Sequence, residues 1–180
     1  FDLLDILPGV IEESHYSKDT QSDYVGALCT RVKSLTNGIY GSVFCAEDAL
    51  SDAELFDCNV VVDLSRVGSM ETKSLLMGIL VMKLQEYRMC GSEMNSRLRH
   101  VTVLEEAHNL LRKTSAEQSQ EGANLQGKSV EMLANAIAEM RTYGEGFIIA
   151  DQAPGLLDMS VIRNTNTKII LRLPDEEDRK

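Results

Sequence analysis

Four short apolar runs dictate most of what this chain can fold into. They are "NVVVDLS" (residues 59–65), "HVTVLEEAH" from His100, "GFIIADQ" from Gly146 and "TKIILRL" from Thr167. Runs of this kind, rich in β-branched residues, read as buried strands of a parallel sheet. Helical patterns stand between them. After Gly68, "METKSLLMGILVMKLQEYRM" puts Leu76, Leu80, Leu84 and Tyr87 on one face, and "SVEMLANAIAEMRTYG" is closed by Gly144. Alternating strands and helices predict an α/β fold with a largely parallel sheet and flanking helices. The 180 residues fit one domain, 1–180, in which 1–56 is a helical lead-in and 57–180 carries the strands. Within the lead-in, Tyr24, Leu28, Val32 and Leu35 recur at helical spacing up to the stop at Asn37-Gly38. The first twenty residues read as either a short helix or a strand remnant.

In open parallel sheets, ligands gather at the carboxyl ends of the strands. Here those ends carry Asp63, Glu105, Glu106, Asp151 and Gln152. "VTVLEEAHNLL" is an apolar run followed by two acids, the pattern of a Walker B strand. The first carboxylate, Glu105, is placed to hold Mg²⁺ through water, since Mg²⁺ keeps much of its hydration. The second, Glu106, points differently and is the candidate base for an attacking water. The bland alternative is a pair of solvated acids ending a strand. Gln152 is placed to sense a γ-phosphate or hold the lytic water. Arg141 precedes the Gln152 strand, and Arg163 and Arg172 flank and occupy the last one; any of them suits transition-state charge in a neighbouring subunit. The bland reading of each, and the favoured one for Arg141 taken alone, is a surface or helix-end charge. His108 reads as a packing or supporting residue, and Arg66 as a loop or rim residue.

Gly122, Gly127, Lys128 and Ser129 satisfy G-x-x-x-x-G-K-S. A working phosphate loop needs a buried strand before it. The preceding "KTSAEQSQE" is a polar loop (Lys113–Gln126 as a whole), so the match is a decoy, with Ser129 a candidate helix cap.

The net charge of −10 opposes a broad nucleic-acid-binding face on these residues. Cys29, Cys45, Cys58 and Cys90 are too widely spaced for a zinc motif and predict reduced thiols in a cytoplasmic protein. The longest apolar run, "LLMGILVM", is too short to span a bilayer, and no signal peptide is evident. Beginning at Phe1, the chain reads as a piece of something longer.

The ordered set "VTVLEEAHNLL", "AEMRTYGEG" and "FIIADQAPGLLDMSVIRNTNTKIILRL" resembles the HerA–FtsK family of P-loop ATPases, in particular HerA-like bacterial ATP-binding proteins with a DUF87-type domain. The resemblance runs from about Asp57 to the end. It implies a RecA-like core, ATP and Mg²⁺, hexameric rings, and DNA translocation or helicase-type motor work. Position by position it implies Glu105 and Glu106 as the Walker B pair, Gln152 as the following polar residue, Arg141 as an arginine acting in trans, and Arg172 as a nucleotide-side charge. The family's Walker A loop precedes Walker B, and nothing before Val101 matches it. The expectation is therefore the downstream part of an ATPase core, inactive alone. Two rivals are a metal-dependent nuclease using Asp63, Glu105 and Glu106, and a non-catalytic assembly module.

Overall fold

The computed structural model describes residues 2–113 and 125–172. Contacts group the chain into two compact units, 1–50 and 51–180, where the sequence reads as one domain with a lead-in over 1–56.

The first unit is helical: α1 (Asp2–Glu12), α2 (Lys18–Ser34) and α3 (Gly38–Phe44). The ambiguous opening residues are thus a helix, with Pro8 inside it. α2 begins four residues before the predicted Ser22 because Ser17 caps it, its side chain accepting from the Thr20 N–H. Its expected apolar face is not buried: Tyr24 and Leu28 remain 45% and 37% exposed. The Gln21 amide bridges back to the carbonyls of Glu12 and Ser14, closing the α1–α2 corner.

The second unit carries α4 (Asp52–Phe56), α5 (Met70–Gly91), β1 (His100–Glu105), α6 (Leu125–Met140), β2 (Glu145–Ala150) and α7 (Met159–Asn164). It is an α/β arrangement, mostly helical, around a two-stranded parallel sheet. β1 and β2 run in register from His100 opposite Glu145 to Glu105 opposite Ala150. A parallel pair needs a long crossover, and the connection between them contains α6. That helix gives way to a short 3-10 turn, Arg141–Tyr143, and stops at Gly144, whose φ of 85° favours glycine.

Leu104, Met77, Val81, Leu84, Leu133, Ile137 and Met140 form the core between α5, α6 and one sheet face, with Phe147 and Ile149 packed against it. Full burial of Leu84 or Met140 contributes roughly 1.5–3 kcal/mol each. On α5 the buried stripe is Met77, Val81, Leu84 and Arg88. The predicted face of Leu76, Leu80, Leu84 and Tyr87 is displaced by about one residue, because Arg88 occupies a core position. Its guanidinium donates to Glu145 (2.9 Å), Asp57 (2.6 Å) and the Phe56 carbonyl. Glu145 also accepts from His100 Nδ1 (2.8 Å) and Thr102 Oγ1 (2.7 Å).

Two predicted strands do not form. Residues 59–64 and 167–172 pair with no strand among the described residues. Val61 is 93% exposed, and Ile169 is 85% exposed. A β-branched run becomes a strand only where a neighbour satisfies its backbone groups, and no described strand lies beside these runs.

The four cysteines are free. No described helix is long and apolar enough to cross a membrane.

Candidate functional site

The carboxyl ends of β1 and β2 bring the strand-end polar residues together. Because the strands are in parallel register, the chain leaves both at the same level, with Glu106 following Glu105 and Asp151 following Ala150. Glu106 then takes the left-handed conformation, φ 50° and ψ 47°, which costs a non-glycine residue roughly 1–2 kcal/mol. A 3-10 turn follows at once (Ala107–Asn109), in which Ala107 is fully buried. Burial of Ala107, Leu110 and Leu111 anchors that turn on the core, and the Glu106 side chain stays 45% exposed.

Asp151 ties the two strand ends to each other. Its side chain is 3% exposed. Oδ2 accepts from the His108 backbone N–H at 2.8 Å, and Oδ1 accepts from the Ala153 N–H at 2.8 Å. The His108 ring adds Nδ1 at 2.9 Å from Oδ2. A buried carboxylate fixed by two backbone N–H groups is a strong, directional staple. It sets Glu106 and Gln152 face to face, and the Gln152 amide donates to Glu106 Oε1 at 2.8 Å.

Of the residues expected from sequence, Glu106 and Gln152 therefore meet directly. Glu105 is exposed at the last position of β1, next to the pair in sequence. An exposed carboxylate at a strand end is the donor type that Mg²⁺ takes through water, so Glu105 fits that ion. Arg141 is exposed at the opposite end of β2. Within one chain it is separated from Gln152 by the strand, about 20 Å at ~3.3 Å per residue. Arg163 and Arg172 are exposed on α7 and on the extended stretch after it.

Asp63 accepts from the Ser65 N–H in its own turn (2.8 Å), and that bond holds its carboxyl below the ordinary carboxylate range. Among the described residues, one group of three potential metal ligands converges, and it is Glu106, His108 and Asp151. Asp63 and Glu105 are not in it, so the carboxylate trio of the nuclease alternative is not assembled. Sequence reading named Asp151 among the strand-end acids without a role and gave His108 a packing role. Each follows a strand end, Asp151 directly after β2 and His108 three residues after β1, and no local pattern pairs them.

The Gly122–Ser129 match is only partly visible, Gly122, Ala123 and Asn124 lying outside the described residues together with most of the Lys113–Gln126 loop. Gly127, Lys128 and Ser129 are the third to fifth residues of α6, so Ser129 is inside the helix and does not cap it. No strand among the described residues leads directly into this segment.

No protein-family model matches the chain, and neither does a curated protein or a solved structure.

Proposed function

We propose that the chain carries the water-activating end of an ATP-hydrolysing motor core of the HerA–FtsK kind. The phosphate cradle comes from a segment other than Gly122–Ser129. The observation that carries this is the 2.8 Å contact between Gln152 and Glu106 at the carboxyl ends of two adjacent parallel strands. Gln152 occupies one oxygen of the carboxylate and fixes its plane, leaving Oε2 to accept a proton from water. A positioned carboxylate of this kind contributes about 10²–10⁴-fold as a general base. Glu105 would hold Mg²⁺ through water, and that ion supplies charge neutralisation to the phosphates when bound.

In this reading the motor is a cytoplasmic, ring-forming protein acting on DNA, and Arg141 and Arg172 serve the nucleotide from exposed positions. The net charge of −10 argues against a broad DNA-binding face on these residues themselves. Glu106→Gln in the full-length protein tests the reading. ATP turnover should fall about a hundredfold or more, with ATP binding retained. Near-normal turnover would remove Glu106 from the chemistry.

A further inference from the structure

The two ends of the β1–β2 pair carry contrasting polar clusters. At the amino end, Glu145 is paired with Arg88 and His100, and Asp57 is paired with the same arginine. Arg88, a permanent cation, stands there between the two carboxylates. At the carboxyl end, the one side chain in ion-pair reach of both Glu106 and Asp151 among the described residues is the imidazole of His108. Among the described residues, no Lys or Arg forms an ion pair with either acid. One Nδ1 lies 2.9 Å from Asp151 Oδ2 and 3.6 Å from Glu106 Oε2, and a single N–H cannot serve both. The two carboxylates here face no guanidinium among the described residues, whereas Arg88 joins the two of the other cluster.

Two of its three edges have the spacing of a cation's ligands. Donors held about 2.0–2.2 Å from a cation stand roughly 2.9–3.6 Å apart in octahedral or tetrahedral geometry. The 2.9 and 3.6 Å separations are within that range, and all three ligand atoms lie within 4.8 Å of one another. Glu106 is the most exposed of the three; Gln152 holds its Oε1, and its Oε2 is the oxygen that faces His108 Nδ1. Asp151 and His108 are already oriented by the staple between the strand ends.

We propose that Glu106, His108 and Asp151 form a binding site for a divalent first-row transition cation. One imidazole and two carboxylates are a mixed nitrogen–oxygen set, suited to Mn²⁺, Fe²⁺ or Zn²⁺. A cation here takes Glu106 Oε2, the oxygen that the hydrolysis reading leaves for water, so the two are alternative uses of one carboxylate and the metal site is tested without ATP.

Titration of the intact chain with Mn²⁺ alone tests it. Mn²⁺ has little affinity for the free thiols, and the chain has three imidazoles, His15, His100 and His108. Substoichiometric Mn²⁺ should broaden the His108 ring resonances before those of His100. By water-proton relaxation, H108A should weaken Mn²⁺ binding about tenfold or more, the range that loss of even a supporting residue produces. E106Q should weaken it as well, and the half-exposed position of Glu106 keeps that variant folded. Equal broadening of all three rings would overturn the proposal, and so would unchanged affinity in both variants. Neither readout uses ATP, so failure of the hydrolysis reading leaves this result intact.

Discussion

Arg88 and Glu145 form an ion pair at 2.9 Å inside the core, their side chains 7% and 0% exposed. They lie 57 residues apart and join the end of α5 to the start of β2. Removing one partner strands the other's charge. Arg88→Met should therefore destabilise the fold by about 3–5 kcal/mol, the usual cost of breaking a buried pair. Replacing both residues by apolar ones of similar volume should recover much of that loss. Denaturant unfolding of the single and double variants checks both statements, and equal losses would show that packing, not charge, sets the cost.

That pair also shows where sequence reading stops. The existence of α5 is legible from its 3.6-residue period, because helix amphipathicity is local. Which side is buried is not, since Arg88 enters the core only through a partner brought in by β2. The four β-branched runs are equally prone to extend. Only those beginning at His100 and Glu145 find each other, while Val60–Val62 and Ile169–Leu171 stay exposed. Propensity is a property of the run; a strand is a property of its neighbours. At the site, Glu106 and Gln152 are legible as strand-end residues. The Asp151–His108 staple depends on the register of β1 against β2, which no local pattern encodes.

Asp57 gives the fold an acid dependence. Its hydrogen bond from Tyr87, then that from Arg88, holds its carboxyl below the ordinary value. A group whose pKa is lower in the folded state stabilises above its unfolded pKa, about 3.9. That contribution disappears as pH falls through the folded pKa. Tyr87, raised above its ordinary value by the same bond, has the opposite sign: its stabilisation is complete below pH of about 10 and fades as pH rises further. Tyr87→Phe should flatten both limbs of a stability-against-pH curve, and an unchanged curve would remove this bond as their source.

Under the proposed ATPase reading, Lys128→Ala should be nearly silent for nucleotide binding in the full-length protein. Gly127, Lys128 and Ser129 fall inside α6, where a phosphate loop would place the glycine before the helix. The lysine of a working loop contacts the β- and γ-phosphates, so its loss is severe. Equilibrium binding of a fluorescent ATP analogue decides the matter: a large drop would make the segment a real phosphate site.

Arg141 should act across a subunit boundary or not at all. It is exposed on the 3-10 turn that opens β2, while Glu106 and Gln152 meet beyond the other end of that strand. The intervening strand, about 20 Å along its axis, is too long for one arginine side chain to cover. Under the proposed ring-ATPase reading, a neighbouring subunit would present the turn to the nucleotide whose water Glu106 would activate. Arg141→Ala rings and Glu106→Gln rings should each be inactive in hydrolysis while still assembling and binding ATP. Mixing the two subunits should restore part of the activity, because some interfaces then join an intact Glu106 to an intact Arg141. If Arg141 served its own subunit, every site in the mixture would lack one group and no activity would return. Well-mixed rings that stay inactive would therefore exclude the trans role and pass it to Arg163 or Arg172, the other exposed arginines considered for it.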